Sequence, residues 1–312
     1  MTAAVLLDAG LAVLVLVLAG WVVFARAAFT AAIVFVVYGL LVSLVWVRLS
    51  AIDVALTEAA IGSGVTGMLL LGAAARLRQS EPTAEMGLPA RLAAGALSAV
   101  IAAGLAAVML FPPENAPTLA PSAMAHLAQS GLGNPVAGVL FVYRAFDTLL
   151  EKVVLLLALV GVWSLAHDRA WGGAPALLVR LQPSGALTLL AQVLPPIGIM
   201  FGIYMFWTGA SRPGGAFQGG TVLAAMWLLV MIAGLQRVPP IGLRSVRLML
   251  VVGPAIFLAI GLAGFVLAGA FLAYPASFAK PLIVVAEATL TLSIGVTLGL
   301  LAAGPPERMP QP

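Results

Sequence analysis

The stretch "DVALTEAAIGSGVTGMLLL", residues 53–71, decides how the chain is to be read. It has the length and apolar weight of a membrane-crossing helix, yet it carries Asp53, then Thr57 and Glu58, then Gly62, Gly64 and Gly67 within six positions. A charged side chain at the bilayer centre costs roughly 2.5–3.5 kcal/mol on insertion scales, so a carboxylate kept there demands a partner, water or an ion. At 1.5 Å per residue Glu58 lies about 7.5 Å deeper along the axis than Asp53, inside the hydrocarbon rather than at its rim. Passage of ions or protons is the first reading of such a residue, and a packing glutamate bonded to a neighbouring helix is the second. The run "GSGVTG" is either a small-residue packing face or a weak point at which the helix slips into a π-bulge.

The rest of the chain is equally apolar. Hydrophobic residues make up 62% of the 312 and charged residues only 8%, which excludes a water-soluble monomer and predicts an all-α integral membrane protein. Runs of spanning length occur at about 4–24, 28–48, 54–76, 91–111, 146–166, 186–208, 215–236, 247–272 and 281–303, nine transmembrane helices in all. Five precede and four follow the Gly- and Pro-containing linker at 167–184. The proline-rich, polar segment 112–145 is expected outside the lipid. Ten arginines (26, 76, 78, 91, 169, 180, 237, 244, 247 and 308) fall on one side of this topology; Arg48, Arg144, Lys152, Arg212 and Lys280 fall on the other. Positive charge marks the cytoplasmic side, so the N-terminus is expected outside and the C-terminus inside. The start "MTAAVLLDAG" lacks a basic n-region, so the first helix is expected to be retained.

Two more clusters carry charge into the lipid. In "YRAFDTLLEKVVLLLALVGVW" Arg144, Asp147 and Glu151 share one helical stripe, which fits either an interfacial anchor or carboxylates along a hydrated path. Glu287 sits about 9 Å into the last run, with no basic neighbour in sequence. Between two spans, "TGASRPGGAFQGGTV" at 208–222 places Pro213, Gly214, Gly215, Gly219 and Gly220 before and into a helix starting near Ala216, a pattern suited to close backbone packing.

Other classes are excluded. Basic residues are scattered and form no nucleic-acid patch. The absence of cysteine removes disulfides and thiolate metal sites, and His126 and His167 are expected in loops far apart. No nucleophile elbow or metal-ligand spacing occurs, so no catalytic residue, metal or cofactor is expected. The halves show no internal repeat, which disfavours a self-sufficient transporter.

Three segments together resemble a known family. "IDVALTEAAIGSGVTGMLLL" resembles the MbhD-like module (DUF4040), "GNPVAGVLFVYRAFDTLLEKVVLLLALVGVW" resembles the MbhE-like segment, and "GASRPGGAFQGGTVLAA" is similar to the signature of the B subunit of multisubunit Mrp (Mnh) cation/proton antiporters. The implied organisation is 1–80 MbhD-like, 81–170 MbhE-like and 185–304 MnhB-like, a five-helix complex I ND6-like module followed by a four-helix one. The resemblance implies a bacterial inner-membrane subunit of an Mrp antiporter or of a related redox-driven complex such as a membrane-bound hydrogenase. A purely structural subunit is the remaining alternative. Implied partners are large antiporter-like subunits, a small NuoK/MnhC-like subunit, lipid, and a monovalent cation with protons. The ion-path candidates are Asp53, Thr57, Glu58, Asp147, Glu151 and Glu287, with Glu58, Asp147 and Glu151 expected to line one outer hydrated cavity and Glu287 as an outlying member. Val142 and Lys152 depart from the family pattern, which expects an acidic residue at the first and not a lysine at the second.

Overall fold

A computed structural model describes residues 3–77, 87–112, 118–175, 177 and 185–307. Arg78, Arg180 and Arg308, part of the topology count, lie outside the described residues, as do residues 176 and 178–184 of the linker at 167–184. The fold among the described residues is helical throughout, with one isolated bridge between Pro175 and Pro306. The helices are α1 (Ala3–Phe24), α2 (Ala28–Arg48), α3 (Ile52–Thr57, continued by Glu58–Val65 and Thr66–Leu77), α4 (Leu88–Leu110) and α5 (Ala120–Leu127). They are followed by α6 (Pro135–Gly138, continued by Val139–Tyr143), α7 (Ala145–Trp163), α8 (Gly185–Gly209), α9 (Ala216–Ile232), α10 (Arg244–Leu267) and α11 (Ala279–Ala303). Each of the nine apolar runs is a helix. Seven have the length and hydropathy of a membrane span, α9 is a shorter apolar helix, and α7 carries Asp147, Glu151 and Lys152 in its first two turns.

Within the stretch expected outside the lipid, residues 118–143 hold α5 and α6, and His126 lies in α5 rather than in a loop. Pro135 occupies the first turn of α6, where a missing N–H costs nothing, and Asn134 caps that turn by accepting from the Val136 N–H at 2.9 Å.

Within α3 the backbone is π-helical over Glu58–Val65, at the glycines whose weak helix propensity left that choice open. Gly62 and Gly64 fall inside the widened turn and Gly67 just beyond it. Gly67 also serves contact with α2, because a Cβ there would collide with Val36 Cγ2. A second π turn, Val139–Tyr143 in α6, has no glycine inside it and was not anticipated.

The core is organised on α11, which packs against α9 and α10 and also touches α7 and α8. Its inner face, from Ile283 and Ala286 through Leu290 and Ile294 to Leu298, is almost fully buried with Phe257 of α10. Ser293 Oγ donates across to the Leu250 carbonyl of α10 at 2.6 Å. Other hydroxyls fold back on their own helix: Thr57 onto the Asp53 carbonyl, Thr221 onto Phe217 and Thr291 onto Glu287, so each is satisfied without a partner from lipid or water. At α9 small residues bring backbones together, since a Cβ on Gly219 would lie 2.7 Å from the Gly202 carbonyl oxygen and one on Gly220 2.7 Å from Ile294. By contrast, among the described residues α1, packed on α2, and α4, which lies against no other helix over any length, contain no buried residue.

Candidate carboxylate cavity

The alternation of spans brings the start of α3, the α6 cap, the α8–α9 turn and the start of α11 to one end of the bundle. There Asp53, only 8% exposed, acts as a clasp. Its Oδ1 accepts the Gly214 N–H at 2.9 Å. Asn134 Nδ2 approaches both Asp53 oxygens at 3.4 and 3.5 Å while donating to the carbonyls of Gly209 and Arg212, each at 3.0 Å. Gln218 Nε2, one turn into α9, donates to Thr57 Oγ1 at 3.0 Å. Three distant stretches of chain are thus tied together by one carboxylate and two amides.

The turn that supplies Gly214 has a backbone that only glycine takes without strain: φ is +145° at Gly214 and +141° at Gly215. A Cβ on Gly214 would lie 2.5 Å from the Met205 carbonyl oxygen. Gly214→Ala is therefore expected to destabilise the chain by about 1–3 kcal/mol through strain. The check is a lowered melting temperature of the detergent-purified protein, with Gly234→Ala, a positive-φ glycine in open space, as the milder control.

Beneath this clasp lies a cavity of about 300 Å³. Asp53 and Thr57 line it from α3, Thr148, Glu151 and Lys152 from α7, Phe217 and Gln218 from α9, and Glu287 from α11. Glu287 is 1% exposed, and among the described residues its Oε2 has no hydrogen-bond partner. Its other oxygen is seated against glycine backbone, 3.0 Å from where a Gly209 Cβ would stand and 3.7 Å from that of Gly215. Tyr274, in the turn before α11, also has a buried hydroxyl without a partner among the described residues; burial first, then the Glu287 carboxylate, raises its pKa, so it stays a neutral donor. Lys152, 4% exposed, sets its Nζ 3.3 Å from Glu151 Oε1 and 4.0 Å from the centroid of the Phe217 ring.

The candidates divide. Asp53, Thr57, Glu151 and Glu287 share the cavity, so Glu287, the outlying member in the sequence reading, lines it with the others. Asp147 does not line it; paired with Arg144, it borders a second cavity that shares Thr148 and Glu151 with the first. Glu58 does not line either. Its carboxylate lies beside Gly39 of α2, Gly62 and the buried Ser63 Oγ, which is unpartnered among the described residues. The reason is helical phase: at about 100° per residue Thr57 stands some 40° from Asp53, whereas Glu58 stands some 140° away. Asn134, Gln218, Lys152 and Tyr274 were not among the candidates. Of these only Asn134 had a local signal, an Asn-Pro pair at a helix start.

Residues 13–79 match the MbhD family, described as the D component of MBH, and residues 186–303 match a domain related to the MnhB subunit of the Na+/H+ antiporter. The fold is similar to that in the structure of the Mrp complex from Dietzia sp. DQ12-45-1b, with TM-score 0.74 and 24% identity over 97% of this chain and 35% of that one. It is also similar to a chain of the membrane-bound sulfane sulfur reductase, an archaeal respiratory membrane complex, with TM-score 0.57 and 24% identity over 69% of this chain and 97% of that one. An uncharacterized protein of Methanocaldococcus jannaschii is 32% identical over 114 residues, 32% of this chain and 44% of the relative. The chain thus spans less than half of that relative and about a third of the Mrp chain.

Proposed function

We propose, for a multi-pass membrane chain that joins an MbhD segment to an MnhB domain, that it is a subunit of an Mrp-like multisubunit cation/proton antiporter and contributes part of the ion path. The carrying observation is convergence. Asp53 comes from the MbhD segment, Glu151 from the stretch between the matched regions and Glu287 from the MnhB domain, yet all three line one cavity within the bundle. Separately buried carboxylates would each pay for desolvation, whereas grouped around a hydrated cavity they can share water and a passing cation. Asp147 and Arg144 stand at its approach through Glu151. Glu58, on the α2 side of the π turn, is the next carboxylate along α3. The stretch 81–170 acts as the MbhE-like module that completes the cavity wall.

In this reading the partners are large antiporter-like subunits and a small NuoK/MnhC-like one, in the cytoplasmic membrane of a bacterium. The cavity opens toward the outer side. Reporter fusions within 78–86 are expected to register as cytoplasmic; an extracytoplasmic signal would reverse the orientation. A membrane arm driven by a redox module is the second reading, supported by the MbhD match. Purification in mild detergent separates the two by what copurifies: antiporter subunits alone, or a soluble redox module. The ion-path role itself is tested by replacing Glu151 and Glu287 singly with Gln, confirming assembly on native gels and measuring cation-dependent ΔpH in vesicles. Full activity in both variants would reduce these carboxylates to packing.

A further inference from the structure

Lys152 is unlike the other basic residues. Among the described residues it is the one lysine or arginine lining the cavity, and its ammonium is enclosed while its sequence neighbour Glu151 remains 44% exposed. Successive helical residues leave the axis about 100° apart, so Lys152 and Glu151 depart α7 on different faces. The four-carbon stem nevertheless returns Nζ to Glu151 and lays it on the ring of Phe217, contributed by α9. An ion pair from one helix and an aromatic face from another make a formed seat for a monovalent cation.

The acidic wall opposite it is unequal. Asp53 already has the Gly214 N–H and the Asn134 amide. Glu151 has Lys152. Glu287 has no donor to its Oε2 among the described residues; Tyr274, whose hydroxyl is likewise unpartnered there, and the Asp53 carboxylate are titratable groups that act on it. The ammonium carries three donor hydrogens, so its capacity is not used up by Glu151 and the ring.

We infer that the Lys152 ammonium is the cavity's resident cation: tethered to α7, it holds the place between Glu151 and Phe217 that a mobile alkali cation would otherwise take. This rests on the ion-path reading above and specifies it. An alkali cation entering the cavity must either displace Lys152 from Glu151 or accept a like charge about 5 Å away, which at the effective dielectric of a protein interior disfavours it by more than about tenfold. A proton meets no such obstacle, because a carboxylate binds it as a neutral acid, and Lys152 takes up a new proton after releasing its own to a neighbouring carboxylate such as Glu151. Lys152 thereby selects protons over alkali cations at this station of the path.

The test uses the assembled complex in vesicles, with NaCl as the only added cation, and reads the half-saturating Na+ concentration for the ΔpH response. Lys152→Met keeps the stem and removes the charge; it is expected to lower half-saturation by about tenfold or more. Lys152→Arg, which keeps the charge, is expected to remain near wild type. Phe217→Leu loosens the seat without touching the charge and is expected to shift half-saturation in the same direction by a smaller factor; it carries the test if the Met variant fails to assemble. Unchanged half-saturation in Lys152→Met, or in Phe217→Leu where that is the variant read, overturns the inference while leaving the path intact, provided Glu287→Gln is inactive. If Glu287→Gln and Glu151→Gln are both fully active, the path reading itself falls.

Discussion

Glu287→Gln is expected to assemble normally and to lose about a hundredfold in cation-dependent proton movement, the usual scale when a positioned proton-transferring side chain is removed. Glutamine keeps the volume of a side chain packed at 1% exposure against the Gly209 and Gly215 backbone, so neither a cavity nor a clash accompanies the change. What disappears is the charge and the exchangeable proton of the group with the fewest partners in the cavity. A complex that assembles and turns over at more than about half the wild-type rate would show that Glu287 is held for packing.

Asp53→Ala is expected to act on stability first. The carboxylate receives the Gly214 N–H and approaches Asn134, and its removal leaves a buried donor without an acceptor on the tight turn between α8 and α9. Loss of a charged hydrogen bond of this kind costs about 1.5–3 kcal/mol. The expected result is a lower melting temperature of the purified complex and increased protease cutting at 210–215. Asp53→Asn, which retains an acceptor oxygen, should lose about half as much. Equal melting of Asp53→Ala and wild type would mean that the clasp does not hold the turn.

Most of the helical layout was legible in the sequence because lipid imposes a length: each of the nine apolar runs had to be long enough to cross or nearly cross, and each is a helix. A common level was read for Glu58, Glu151 and Glu287, since all three lie near the starts of helices that run in one direction; from α3 the cavity takes Asp53 instead of Glu58, together with Glu151 and Glu287. Rotation about the helix axis was harder. Glu58 was grouped with Asp147 and Glu151 by depth alone, and depth does not say that five residues turn a side chain some 140° from Asp53. Lys152 entered the sequence reading only as a basic residue of the outer side and a departure from the family pattern, because nothing in the sequence shows how far its flexible stem reaches back to Glu151. The contribution of Asn134 required knowing that residues 134 and 209–214 meet, a contact between segments that carry no mutual signal in the sequence.

The position of α11 as the hub of the bundle has a consequence for how the chain is made. Helices enter the membrane in order of synthesis, and α11 follows α1 through α10. Until it arrives, α9 and α10 lack the partner that buries their facing sides, and the cavity lacks the wall that carries Glu287. Asp53, Glu151 and Lys152 must wait in the bilayer with that wall open, held by the clasp and the α7 ion pair. A nascent chain stopped before Ala279 is in this state, with its charged groups accessible from the side. Completion of α11 is then the event that closes the site, so ion leakage through unfinished chains is limited by the same helix that carries Glu287.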